Sequence, residues 1–249
     1  MTSSTYQRIS IDRVGGVGTL VLDDAERGNA LEPFLMEAEL SEALRTMDRD
    51  RSVRAILLRA AGSDFCAGGR HLAEPQFHDV RDRDVSSTGR LAHGYSYGTL
   101  WEALAELKKP LVCAVRGRCA DGGFGIALAS DVVVAGESAT FVDTSVVRGR
   151  SPFWPAAPVL VQAIGKHLAN EVVLLGRTLD AREARRLGLI TDVVDDALCE
   201  DAAAAAAEEL AERPPVTISL ARHLIRKAVD EMGDYALTRS YAYHTLASG

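Results

Sequence analysis

Short apolar runs, many of them β-branched, punctuate the first half of the chain: Gly18 to Leu22, Val53 to Leu58, Leu111 to Val115 and Val132 to Ala135. Their length suits strands, and their nearly unbroken apolar character suits parallel strands buried on both faces. Between the first two runs, Pro33 to Met47 spaces its apolar residues at three and four, which predicts an amphipathic helix. Asp201 to Glu212 is rich in alanine and predicts a second helix through intrinsic propensity. Pro214-Pro215 should end it, with a further helix over Val216 to Met232. The pattern is one alternating α/β domain with a helical tail. Residues 73–98 stand apart, with Arg-Asp-Arg-Asp and Ser-Ser-Thr-Gly-Arg and little apolar periodicity. They read as a mobile loop over a pocket or as a surface insertion.

Two glycine-bearing segments interrupt this pattern, Phe65-Cys-Ala-Gly-Gly69 and Asp121-Gly-Gly-Phe-Gly125. Each follows a predicted strand, and the second leads into the helix-like stretch Ile126 to Ala129. A strand, a glycine turn and a helix start expose backbone N–H groups, to which the helix dipole adds partial positive charge. Two such donors brought together make a site for an oxygen that gains negative charge, which implies chemistry at a carbonyl. The plain alternative is a pair of structural turns. Gly-x-x-x-x-Gly-Lys-Ser/Thr and Gly-x-Gly-x-x-Gly are both absent, so a phosphate loop of either kind is unsupported.

Composition narrows the classes further. At 249 residues, with 47% hydrophobic and 25% charged positions, the chain can form one large globular domain with a buried core. A net charge of −7 argues against a general nucleic-acid binder, yet permits an anionic ligand held by local positive charge. Arg27, Arg59 and Arg70 flank the glycine and apolar motifs and are weak candidates for that role. Cys66, Cys113, Cys119 and Cys199 have no zinc spacing and form no Cys-x-x-Cys. They are expected to be reduced, partly buried thiols, and no metal site is expected. Neither a leader-like N-terminus nor a membrane-length apolar run is present, so a cytoplasmic location is expected.

With these segments in place, a resemblance emerges that covers about Tyr6 to Tyr243. Arg27-Gly-Asn-Ala-Leu31, Phe65 to Gly69, Lys109 to Gly117 and Gly176 to Ile190 resemble, in order and spacing, four motifs of the enoyl-CoA hydratase/isomerase (crotonase) superfamily. The resemblance implies a crotonase-like ββα superhelix: a core over residues 1–190 and a C-terminal helical trimerisation region over 191–249, within one structural unit. It implies a homotrimer or dimer of trimers. The substrate implied is an acyl-CoA thioester, or an acyl group on a carrier protein, with coenzyme A as part of the substrate and no tightly bound cofactor. Neither nucleic acid nor membrane is an expected partner. The backbone N–H groups of Gly69 and Gly122 would receive the thioester oxygen. Arg27, Gly28, Ala30, Ala67 and His71 would line the coenzyme.

The rest of the family's machinery does not carry over. The two glutamates of the well-known hydratases fall, along this chain, at Gly125 and Ser145, and a third acidic position falls at Phe153. Glycine transfers no proton, and serine without a base is a poor acid–base catalyst. Ordinary hydration is therefore disfavoured. If residues 143–145 are extended, Asp143 and Ser145 share a face, which makes Asp143 the first candidate for a displaced acid or base. Asp121 reads as an N-cap. His71, His93, Tyr95 and Tyr97 could serve if the 73–98 loop closes on the substrate. Arg148 and Arg150 could grip a substrate carboxylate or simply form surface ion pairs. Phe153 and Trp154 could wall an acyl pocket or fill the core.

Two functions are consistent with this reading. One is an enzyme that forms an enolate for isomerisation, decarboxylation or carbon–carbon lysis. The other is a homologue that binds the thioester without catalysis.

Overall fold

The computed structural model describes residues 6–32, 35–69, 98–149, 152 and 156–227. It confirms the α/β expectation and adds strands that the apolar runs did not mark. A six-stranded sheet has the order β1-β2-β3-β4-β6-β9. These strands are β1 (Ile9–Val14), β2 (Val17–Leu22), β3 (Ala55–Ala60), β4 (Leu111–Val115), β6 (Val132–Gly136) and β9 (Asp192–Val194). Only the β1–β2 hairpin is antiparallel; every other pairing in this sheet is parallel. Its two-residue turn, Gly15-Gly16, has both φ angles positive at 60° and 90°, the geometry that matches strand twist in a tight hairpin. A smaller sheet, β5-β7-β8, stands beside it, made of β5 (Arg118–Ala120), β7 (Thr140–Val142) and β8 (Leu179–Asp180).

Alternation along the strands feeds two cores. Ile56, Leu58, Cys113 and Val115 point into the larger one, with Met36, Leu40, Leu44 and Met47 of helix α1 (Met36–Arg49). Ala55, Leu57, Val112 and Ala114 point to the opposite face. There helix α6 (Cys199–Glu212) lays Cys199, Ala203, Ala207 and Ala211 on the sheet, a stripe at four-residue spacing. Alanine therefore does more than favour the helix: its small side chain lets α6 approach the strands closely.

The remaining helices among the described residues are α2 (98–106), α3 (Gly122–Ala129), α4 (Ala156–Leu174, broken at Gly165, where φ 74° and ψ 162° are not helical), α5 (Ala181–Arg186) and α7 (215–227). Pro215 opens α7, where a missing N–H costs nothing. Arg222, almost fully buried, fastens α7 to the sheet. Its Nε donates to Asp131 Oδ2 at 2.8 Å and its Nη1 to the Leu107 carbonyl at 2.5 Å. Asp131 Oδ2 also accepts from the Leu111 N–H at 2.7 Å, so one carboxylate aligns both the start of β4 and α7.

Some expected boundaries move. The helix expected from Pro33 begins at Met36 and runs to Arg49, with residues 33 and 34 outside the described residues. The strand expected from Val53 begins at Ala55, because the Val53 N–H closes a turn onto the Asp50 carbonyl at 3.1 Å. Val53 is buried all the same, which is why its apolar character reads as strand. Of residues 73–98, only residue 98 lies within the described residues, and it is helical. The end of the helix expected over Val216 to Met232 falls outside them beyond residue 227. All four cysteines are free thiols and fully buried rather than partly so. No helix among the described residues is long and apolar enough to cross a membrane.

The alanine stripe makes a direct test of this packing. Ala207→Leu should cost about 1–3 kcal/mol by overpacking against β3 and β4, whereas Ala205→Leu on the exposed face should stay within about 0.5 kcal/mol. Paired urea titrations of the two variants would measure the difference.

Candidate active site

The site is assembled by backbone pairing between segments distant in sequence. The first is Arg27 to Leu31. Gly28, at φ 62°, ends the single turn Ala25–Arg27, and a Cβ there would meet Ala67 Cβ at 2.9 Å. The Gly28 carbonyl accepts from the Ala67 N–H at 2.8 Å, and the Leu31 N–H donates to the Gly68 carbonyl at 2.9 Å. Asn29 is fully buried at φ 51° and acts as a staple. Its Oδ1 accepts from the Asp24 N–H at 2.9 Å, and its Nδ2 donates to the carbonyls of Ala61 and Asp64 at 2.8 and 2.9 Å. The amide thus binds the first motif to the chain leaving β3. Arg27 is exposed and paired with Asp24 at 3.0 Å, and Ala30 and Ala67 are half-buried at the same junction.

The second pairing joins the two glycine segments. The Cys66 N–H donates to the Arg118 carbonyl and the Ala120 N–H to the Cys66 carbonyl, both at 2.9 Å. A Cβ on Gly123 would lie 2.4 Å from Cys66 Cβ, so glycine at 123 is required for this contact. Burial pushes the Cys66 thiol up to about 11, so it stays protonated at neutral pH and packs rather than attacks. Gly69 is half-buried and Gly122, the first residue of α3, is buried. Neither of their N–H groups finds an acceptor among the described residues. Gly125 is buried one turn into α3 and donates to the Asp121 carbonyl at 3.0 Å.

Asp121 occupies the N-cap position of α3, as expected, but its side chain does not cap the helix. Its backbone, at φ 50° and ψ −115°, turns the carboxylate away from the helix start. Oδ1 instead accepts from the Thr144 N–H at 2.7 Å and the Thr144 hydroxyl at 2.8 Å. This role was not legible in the sequence, where Asp before a glycine helix start reads as a cap.

The expectation for Asp143 and Ser145 needs correction. β7 ends at Val142 and Ser145 lies in a turn, so strand alternation does not carry the two onto one face. They are joined differently: Asp143 Oδ1 accepts from the Ser145 N–H at 2.8 Å. Asp143 is buried, Ser145 half-buried. Burial raises the Asp143 carboxyl above its ordinary value, and the neighbouring Asp121 charge adds to the rise against the hydrogen bonds from Ser145. Arg148 is exposed, and Arg59 is paired with Glu200 at 3.0 Å. His71, His93, Tyr95, Tyr97, Arg70, Arg150, Phe153 and Trp154 lie outside the described residues. No group of three or more His, Cys, Asp or Glu side chains among the described residues is placed to hold a metal ion.

A buried carboxyl of raised pKa penalises folding once it ionises. The penalty is absent below the unfolded value of 3.8, opens as pH rises past it, and levels off above the folded value. Asp143→Asn keeps an acceptor for the Ser145 N–H and has no charge to bury. The variant should match the wild type near pH ~3 and exceed it in stability toward pH ~7, as read from denaturant midpoints. A wild type that gains on the variant over that interval would contradict the assignment.

Comparison with known proteins agrees with this architecture. The family model for enoyl-CoA hydratase/isomerase matches residues 12–245. The chain is 36% identical over 237 residues to the 1,2-epoxyphenylacetyl-CoA isomerase of Escherichia coli K12, covering 93% of this chain and 87% of that protein. Among solved structures, an enoyl-CoA hydratase subunit from Geobacillus kaustophilus superposes with a TM-score of 0.81 at 30% identity, covering 96% of this chain and 90% of that one. An enoyl-CoA hydratase/isomerase from Pseudoalteromonas atlantica gives 0.82 at 27% identity, covering 97% and 91%. The match over nearly the whole length, in sequence and in fold, makes this chain a member of the enoyl-CoA hydratase/isomerase family.

Proposed function

We propose that this protein binds an acyl-CoA thioester with the carbonyl oxygen between the N–H groups of Gly69 and Gly122, and isomerises the acyl group through its enolate. One observation carries the reading: two segments stitched to each other by backbone pairing each supply an N–H that has no acceptor among the described residues. Such donors bond more strongly to an enolate oxygen than to a thioester carbonyl, so they lower the barrier rather than merely bind substrate. Arg27, Gly28, Ala30, Ala67 and His71 are assigned to the coenzyme portion, which arrives with the substrate. The same two donors would serve a thioester on a carrier protein.

Asp143 is the proposed proton carrier. A carboxyl raised by burial is closer to the range in which it can both take and return a proton at neutral pH. Gly125 and Ser145 occupy the positions where the family's hydratases are read to carry glutamates, which disfavours addition of water. Decarboxylation and carbon–carbon lysis would use the same enolate. Isomerisation is preferred because the Escherichia coli relative is an isomerase of an acyl-CoA. The missing glutamates also favour a second reading, a thioester-binding protein without turnover. Four free buried thiols fit a cytoplasmic setting.

Deuterium incorporation at the α carbon of saturated acyl-CoAs in heavy water separates the readings, since only enolate formation exchanges that proton. Exchange is expected for at least one of several chain lengths. Gly122→Pro deletes one donor and should slow it by a hundredfold or more, about 3–4 kcal/mol, with the fold retained by circular dichroism. Exchange in Gly122→Pro at the wild-type rate would refute the role of that amide, and none in the wild type would leave the binding reading.

Assembly as a trimer, or a dimer of trimers, is part of the proposal. Val216, Leu220 and Leu224 form an exposed apolar stripe at four-residue spacing on α7, with Ile225 beside it. Sedimentation equilibrium should give a mass of three or six chains, and Leu220→Glu with Leu224→Glu should reduce it. An unchanged mass in the double variant would place the interface elsewhere.

A further inference from the structure

The Asp121 carboxylate lies between Gly68 and Thr144, and its geometry has a consequence for both amide donors. The direction of a backbone N–H is set by the dihedrals of the residue before it. For Gly69 that residue is Gly68, at φ 114°; for Gly122 it is Asp121, at φ 50° and ψ −115°. Gly68 adopts its φ at no steric cost, whereas the Asp121 conformation is one that L side chains rarely adopt and would relax if nothing held it. Asp121 touches both hinges. A Cβ built on Gly68 would stand 2.4 Å from Asp121 Oδ2, which therefore lies directly against that residue. Oδ1 is anchored by the N–H and hydroxyl of Thr144 at 2.7 and 2.8 Å. The Asp121 backbone is held as well: its N–H donates to the Val142 carbonyl at 2.9 Å, and its carbonyl accepts from the Gly125 N–H at 3.0 Å.

We propose that Asp121 is a positioning residue whose carboxylate, anchored on Thr144 and pressed against Gly68, locks the two peptide planes that aim the Gly69 and Gly122 N–H groups at one oxygen. The inference rests on the thioester reading above and deepens it. The carboxylate touches no reacting atom; it acts through the amides. An anionic side chain beside a developing oxyanion would by itself oppose charge formation, so its value here is geometric. Two hydrogen bonds to Thr144 hold a backbone conformation that is rare for a residue with a side chain.

Asp121→Gly and Asp121→Asn isolate the lock. Glycine adopts φ 50° and ψ −115° without strain, so the fold survives while the lock is removed. Asparagine keeps an oxygen that accepts from Thr144 while losing the charge. The probe is butyryl-CoA labelled with carbon-13 at the carbonyl, followed by its bound chemical shift, its affinity and its α-proton exchange. In the wild type the bound carbonyl resonance should move downfield of the free value. Asp121→Gly should return it most of the way and slow exchange by about tenfold or more, with affinity changed by less than about threefold. Asp121→Asn should recover most of both. Thr144→Val, which removes only the hydroxyl bond, should shift both readouts in the same direction and by less. Asp121→Gly indistinguishable from the wild type overturns the inference, as does Asp121→Asn as damaged as Asp121→Gly. A wild-type carbonyl unmoved from its free value instead removes the thioester reading, and this inference with it.

Discussion

The arrangement depends on one short pairing: Cys66, standing alone after β3, bonds through its N–H and carbonyl to Arg118 and Ala120 of β5. That contact joins the large sheet's outgoing chain to the small sheet. On one side of it, Leu31 pairs with the Gly68–Gly69 strand end; on the other, β5 pairs with β7, which leads to Asp143. Four segments spread over more than a hundred residues are thus linked by two single bridges and one strand pairing. The constraint is tight because Gly123 must lack a side chain for Cys66 to approach β5 and α3 together. A larger residue there would separate the segments that carry the two amides.

Backbone pairing suits this task better than side-chain contact. A ladder hydrogen bond fixes distance and direction simultaneously, and buried backbone groups are costly to leave unmade. Among the described residues, the N–H groups of Gly69 and Gly122 have no backbone acceptor. Preorganised donors of this kind need no reorganisation when charge appears, which is where their catalytic value would lie. Asn29 and Asp121 supply the side-chain support. One staples the Arg27 to Leu31 turn to the chain after β3, and the other spans from Gly68 to Thr144. Each holds a non-glycine residue at positive φ, the sign of local strain sustained by its surroundings.

Much was readable beforehand where local chemistry alone decides. The apolar runs of β2, β4 and β6 fell within a residue of their observed bounds, because buried parallel strands must be apolar on both faces. The tail helix and its proline break followed from propensity and the missing N–H. The hairpin strand β1 was missed although Gly15-Gly16 marks its turn; its alternation of exposed polar positions is weak. β5, β7, β8 and β9 have two or three residues each, too few for a period to register. Asp143 was singled out because strand alternation would set it on one face with Ser145, but β7 ends one residue before it, so that local reason does not hold.

By itself, the amino-acid sequence determined the class of fold, through hydrophobic period, and the family, through the resemblance of four motifs in order. Tertiary structure alone decided what the polar residues do. Asp121 turns from the helix it precedes to Thr144, Asp143 binds Ser145 across a turn, and Arg59 pairs with Glu200. The physical reason is that a charged side chain takes its partner from whatever the fold brings within about 3 Å, and sequence neighbours do not reveal that distance.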